Sequence, residues 1–292
     1  MKRPVDIAVI SDVHLGTYGC KATELLNYIK SIKPEILVLN GDIIDIWNIK
    51  KRFFPIEHLQ IIQHILKMSL HGTRVYYITG NHDDTLRQFS DFSSGEIHLR
   101  NELVLYSGKK RYLIFHGDQF DKQLQLSRLL AVLGGKSYDL LIKFNTWTNR
   151  YLKYFGAKEI SFAHAVKKGF KRAMQFIHDF EQKAISHAAS KGFDGVICGH
   201  IHIPQDRLAA TEFGSIHYLN SGDWVENMTA LEYNNNAWNT YKYESKHFPK
   251  VNKEASSKAF NKKNRTGFFK SKQNDYAEQN AIQLHTQKSL NL

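Results

Sequence analysis

The chain of 292 residues has only two cysteines, Cys20 and Cys198. They are too few for a disulfide framework and too far apart for a CxxC device, so a reducing compartment, and with it a cytosolic address, is expected. Nowhere do about 18 apolar residues run together, which argues against a membrane-spanning helix. The opening "MKRPVDIAVIS" is basic, but Asp6 breaks its apolar run and no small-residue cleavage site follows, so no signal peptide is expected. Internal repeats are also lacking. What the chain does have is 42% hydrophobic residues, enough to fill a core.

The formal net charge of +12 is unevenly placed. Residues 246–292 hold ten Lys and Arg against three Asp and Glu, in a stretch rich in Asn, Gln and Ser, and are expected to form a disordered tail. Residues 124–191 hold twelve basic and four acidic residues, and the remainder is slightly acidic. Because that body lacks a basic stripe, no dedicated nucleic-acid site is expected. The expected organisation is one domain over 1–245 with an insertion at about 120–190, followed by the tail 246–292.

Five apolar, β-rich runs read as buried strands: "DIAVIS" (6–11), "EILVLN" (35–40), "RVYYIT" (74–79), "RYLIFH" (111–116) and "FDGVIC" (193–198). Helical stretches at 21–32 and 57–70 separate the first three, as in layered α/β folds. Near the end, "SIHYLN", "MTALEY" and "AWNTYKY" read as antiparallel strands. The insertion is helical by period: Leu140, Phe144, Trp147, Tyr151 and Tyr154 recur on one face, as do Val166, Phe170, Ala173, Ile177 and Phe180.

A polar group follows each of the five strands: Asp12 and His14 in "SDVHLG", Asp42 and Asp45 in "NGDIID", Asn81, His82 and Asp83 in "GNHDD", His116 and Asp118 in "HGD", His200 and His202 in "GHIH". Loops at the carboxyl ends of strands converge on one crevice, so five separate clusters become one in space. Packed together, these carboxylates and imidazoles repel and lose solvation unless cations neutralise them. Oxygen and nitrogen ligands without thiolate suit Mn, Fe or Zn, and their number suits two ions sharing one carboxylate. Singly, each group has a bland explanation: Asp12 as a helix cap, "GNHDD" as a turn, a lone His as a structural residue. It is their joint placement that points to metal.

In order, these residues resemble the calcineurin-like metallophosphoesterases, whose pattern is DxH, GDxxD, GNH(D/E), H and GHxH. The resemblance spans residues 7 to about 224 and implies an α/β, four-layer αββα sandwich of two mixed sheets. It further implies one ion held by Asp12, His14, Asp42 and His202, and another by Asp42, Asn81, His116 and His200. By the same resemblance, His82 would protonate the leaving oxygen or stabilise the charge on it, and Asp45 would orient that imidazole. Asp83 and Asp118 are left open between supporting that centre and capping.

The wording "GDIIDIW", "GHIHIP" and "YLNSGDW", with a helical insertion before "GHIH", is similar to the branch containing UDP-2,3-diacylglucosamine pyrophosphatase of lipid A synthesis. In that enzyme the insertion is a lid over acyl chains and Mn²⁺ is the working metal. By this resemblance Trp147 and Tyr151 would line an acyl groove, and Lys167, Lys168, Lys171 and Arg172 would meet phosphate or an anionic membrane surface, consistent with a peripheral membrane address; ordinary packing of the helices explains them equally well. One departure stands out: the lipid A enzyme has Arg where this chain has His82, which keeps nucleotide phosphodiesters and phosphomonoesters in play as substrates. A nuclease and a scaffold without activity are the readings from other classes; the complete ligand set argues against the second.

Overall fold

The structure, a computed structural model, describes residues 2–47, 53–120 and 162–247, the side chains of 162–170 and of Arg172 excepted. Strands β1 (Arg3–Ile10), β2 (Ile32–Asn40) and β3 (Arg74–Ile78) run parallel, linked by helices α1 (Ala22–Ser31) and α2 (Ile56–Leu70). The helices bury one stripe each, Leu25, Leu26 and Ile29 from α1 and Ile61, Ile65 and Met68 from α2, at the spacing of one helix face. Strand β4 (Ser93–Ser94), β5 (Ile97–Arg100), β11 (Thr229–Asn234) and β12 (Ala237–Lys242) complete a seven-stranded mixed sheet of order β12-β11-β1-β2-β3-β5-β4.

A second mixed sheet, of five strands, has the order β6-β7-β8-β10-β9, with β6 (Glu102–Ser107), β7 (Lys110–Phe115), β8 (Gly195–Cys198), β9 (Gln205–Thr211) and β10 (Gly214–Asn220). Between the sheets, Val9, Val38 and Ile78 of the first pack with Ile114, Ile197 and Leu219 of the second. The other face of the second sheet takes Phe180, Ala184, Ile185 and Ala188 of helix α3 (Phe162–Ser190) against Phe115, Val196 and Tyr218. The result is the αββα sandwich of two mixed sheets read from the sequence.

All five anticipated strands are present, their ends shifted by a few residues. Of the three C-terminal segments, β11 and β12 form the expected antiparallel hairpin, whereas β10 lies in the other sheet, parallel to β8 and antiparallel to β9. Strands β4, β5, β6 and β9 were not legible. Apart from β5 they are sheet edges, and their mixed polar and apolar sequences bury little, so no continuous apolar run marks them. The chain divides into two compact units, Met1–Tyr243 and Glu244–Leu292. Of the second unit only a 3-10 turn, Ser245–His247, precedes residues outside the description, so the expected tail lies almost wholly outside it, as does the helical face of Leu140 to Tyr154. Within the insertion, Ala173 and Phe180 are buried as their spacing predicts. Among the described residues no helix is long and apolar enough to cross a membrane.

Register positions the site. Ile10 pairs with Leu39 and Asn40 with Ile78, while Ile114 pairs with Ile197 and Asn220 with Cys198, so strand ends in each sheet are level and their following loops open on one edge.

Candidate metal centre

At those strand ends the backbone leaves extended geometry abruptly. Asp12, His14, Asp42, His200 and His202 have φ of 51°, 54°, 53°, 70° and 59°. This left-handed region is unfavourable for residues with a Cβ, and each such residue costs on the order of 1–3 kcal/mol unless its surroundings impose it. The turn redirects side chains that a continuing strand would send to alternate faces. Five of the seven expected ligands thus share one strained conformation. His202→Gly is expected to leave metal-free protein about 1 kcal/mol more stable than His202→Ala, measured by denaturant unfolding, because glycine adopts this φ freely. Equal stability of the two variants would remove the strain argument.

Two glycines let the loops close. Gly41, at φ +80°, faces the His116 ring, and Gly80 faces the Asp42 carboxylate and His116; a Cβ at either would overlap those side chains.

Asp42 lies at the middle. Its Oδ2 is 3.4 Å from His116 Nε2, 3.9 Å from His82 Nε2 and 4.0 Å from His14 Nε2, and its Oδ1 accepts the His82 backbone N–H at 2.8 Å. Asp12 Oδ1 is 3.0 Å from His202 Nε2, while Asp12 Oδ2 accepts the His200 backbone N–H at 2.9 Å. His14 Nε2 and His202 Nε2 are 3.4 Å apart, and the His116 and His200 rings meet edge to face with centroids 5.1 Å apart. Ligand atoms therefore gather in three groups, Asp12, His14 and His202 in one, Asp42, His116 and His200 in another, and His14, Asp45 and His82 in a third that shares His14 with the first. Asn81 lies between Gly80 and His82, both of which touch Asp42.

Burial alone would raise the Asp42 pKa, but the imidazoles of His116, His14 and His82 outweigh it and hold the carboxyl well below its usual range. Asp12 is likewise held down, by His202 and His116 against burial. Burial lowers His116, yet Asp42 and Asp12 raise it to about 10; Asp12 raises His202 in the same way. Protons thus neutralise the cluster when no metal does. The arrangement fits a cation better than a proton. Asp42 Oδ2, His116 Nε2 and Asp12 Oδ1 are sealed from solvent, and the groups that face them are other members of the cluster. Together with the family reported below, these groups indicate divalent-metal binding.

Asp45, buried, lies 3.1 Å from His82 Nδ1 and 3.5 Å from His14 Nδ1, so one carboxylate addresses two imidazoles. The Asp83 carboxylate accepts from Ile43 N, Gly80 N and the Tyr77 hydroxyl, stitching the second and third loops together. Sequence reasoning left Asp223, Asn227 and Trp47 without a role. Asn227 donates to the His202 carbonyl and to Asp223, whose other oxygen accepts three backbone N–H groups. The Trp47 indole donates to the Asn81 carbonyl at 2.8 Å. Trp47 and Asp223 were signalled only by membership of "GDIIDIW" and "NSGDW", and Asn227, outside both, by nothing. Of the expected substrate contacts, Trp147 and Tyr151 lie outside the described residues, as do the side chains of Lys167, Lys168 and Arg172; Lys171 is exposed on α3.

Comparison with known proteins places this geometry. Over 112 residues the chain is 32% identical to UDP-2,3-diacylglucosamine hydrolase of Photorhabdus laumondii, a match covering 37% of this chain and 46% of that protein, so it spans about half the length of this curated relative. A solved archaeal phosphodiesterase aligns with a TM-score of 0.41 and 11% identity, covering 81% of this chain and 98% of that one. The E. coli phosphoesterase YfcE aligns at 0.36 and 14%, covering 78% and 88%. The pattern that defines calcineurin-like phosphoesterases matches residues 5–204, from the first strand through both histidines of "GHIH", and on that match the chain belongs to the calcineurin-like phosphoesterase family.

Proposed function

We propose that this chain hydrolyses a phosphoester or phosphoric anhydride bond with two divalent ions, most simply Mn²⁺, one on Asp12, His14, Asp42 and His202, the other on Asp42, Asn81, His116 and His200. The observation that carries this reading is Asp42: a fully buried carboxylate within 4.0 Å of imidazoles from three different loops. Bound there, the ions would offset charge on phosphate oxygens and make a water more acidic.

The chain's own groups do the rest. Asp42 Oδ1 fixes the His82 backbone, and Asp45 holds the ring by Nδ1, leaving Nε2 3.9 Å from Asp42. Protonated, His82 donates from Nε2 to the leaving oxygen. Asp45 fixes the tautomer and direction of that ring.

For the substrate we propose a UDP-linked acylated sugar of the UDP-2,3-diacylglucosamine type, cleaved to UMP and a lipid phosphate at an anionic membrane surface. Support comes from the name of the curated relative and from the basic composition of 124–191. A second reading, a phosphodiesterase or phosphatase acting on nucleotides, is favoured by His82 itself, since an alkoxide needs a proton more than a departing phosphate does. Release of UMP from UDP-2,3-diacylglucosamine by Mn²⁺-reconstituted protein tests the choice. Cleavage of other esters with no UMP released would establish the second reading.

Metal loading is expected to be proton-coupled. His116 and His202 hold protons above their ordinary range in the metal-free state and must lose them to bind a cation. Titrating Mn²⁺ into metal-free protein near neutral pH should therefore release about one proton or more per ion, and apparent affinity should rise with pH. Uptake without proton release would contradict the pairing of His116 with Asp42.

A further inference from the structure

Arg87 stands out among the strand-end loops. In 11–21, 41–47, 80–93, 116–120, 199–204 and 221–228, Lys21 and Arg87 are the only Lys or Arg residues. Lys21 caps α1. Arg87 belongs to the 3-10 turn Asp84–Phe89 and reaches across to the other sheet's loop, where its Nη2 donates to Asp118 Oδ2 at 2.8 Å and approaches the Gly80 carbonyl at 3.4 Å. Both anchors border the centre: Asp118 lies two residues after His116, and Gly80 faces Asp42 and His116.

A tether alone would use this guanidinium differently. Arg3 grips Glu232 with both terminal nitrogens, at 2.6 and 2.7 Å. Arg207 gives one nitrogen to Glu181 but lays its plane over Tyr218, 5.3 Å from the ring centre. Arg87 commits a single nitrogen to Asp118 and the Gly80 carbonyl; no hydrogen bond reaches Nη1 among the described residues, Nε is buried without one, and the side chain stays 39% exposed. An arginine with Nη1 uncommitted beside a candidate metal centre has a charged donor that suits a second phosphate, and Nη2 can join it where the ligand displaces Asp118.

Resting on the hydrolase reading above, we infer that Arg87 binds the phosphate of a diphosphate ester that is not cleaved, and so makes the enzyme prefer organic diphosphates over monoesters. Asp118 positions that guanidinium and competes with the ligand for it. Loss of Arg87 therefore weakens diphosphate binding, whereas neutralising Asp118 frees the guanidinium and strengthens it.

The experiment uses Mn²⁺-loaded full chain, wild type and the variants Arg87→Ala, Arg87→Lys and Asp118→Asn. KM and kcat are measured on a UDP-sugar and on an aryl phosphate, and binding of UDP and of UMP is measured by calorimetry. Arg87→Ala should weaken UDP binding and raise KM for the diphosphate by about 10- to 100-fold, with a much smaller change for UMP and the aryl phosphate, and Arg87→Lys should recover part of the loss. Asp118→Asn should shift UDP affinity in the opposite sense. Equal losses on both substrates, or the same direction of change in Arg87→Ala and Asp118→Asn, would show a tether and overturn the inference. The hydrolase reading fails separately: wild type that cleaves neither substrate yet loses UDP binding on Arg87→Ala would refute the reaction while retaining the site.

Discussion

Asp42→Ala is expected to reduce hydrolysis by about 10³-fold or more and to lower bound metal from two ions per chain to one or none. The size follows from how many tasks meet in one side chain. Asp42 is the sole carboxylate proposed to serve both ions, its Oδ2 faces imidazoles from three loops, and its Oδ1 holds the His82 backbone. Removing it also strips buried His116 of its main charge partner, so the His116 pKa should fall from about 10 towards or below its ordinary value as burial takes over. Asp42→Asn separates the contributions, since the amide still accepts from His82 N but no longer offers a charged oxygen to a cation. Elemental analysis and steady-state rates on both variants check the argument. Two retained ions in Asp42→Ala, or activity within tenfold of wild type, would end the shared-ligand proposal.

The second large effect is expected at His82, and it depends on the leaving group. His82→Ala should cost about 10²–10⁴-fold with alkyl phosphate esters, whose alkoxide leaves only with a proton, and much less with activated aryl phosphates. Bound metal should stay at two ions, because His82 is not among the proposed ligands. A uniform loss across leaving groups would assign His82 to ground-state positioning, and falling metal content would make it a ligand. The same measurement on Asp45→Asn is informative, because Asp45 lies 3.1 Å from His82 and 3.5 Å from His14. Rate and metal affinity should fall together in that variant, unlike in His82→Ala.

The sequence carried the site unusually far, for a physical reason. Each expected ligand sits within a few residues of the end of a buried strand, and buried strands announce themselves as apolar runs. Asp12 and His14 after "DIAVIS", Asp42 after "EILVLN" and His200 and His202 after "GVIC" could therefore be placed at one crevice from the order of residues alone. Edge strands β6 and β9 escaped notice because half-exposed segments lack that mark. Asn227 and Arg87 escaped because they donate to groups distant in the chain, as when Asn227 holds the carbonyl of His202. Asp223 escaped because it accepts the backbone N–H groups of 225–227 and the Asn227 amide in a loop that no apolar run marks.

By itself, then, the order of residues determined which strands are buried, which loops carry ligand chemistry and which family the pattern matches, because burial and ligand type are properties of local composition. Only the tertiary structure decided that, among the described residues, Asp42 stands among three imidazoles, Asp45 is shared by two rings, and Arg87 has donors left over. Those outcomes depend on strand register, on left-handed turns at Asp12, His14, Asp42, His200 and His202 and on the packing of one sheet against the other, which bring together groups up to 190 residues apart (Asp12 and His202).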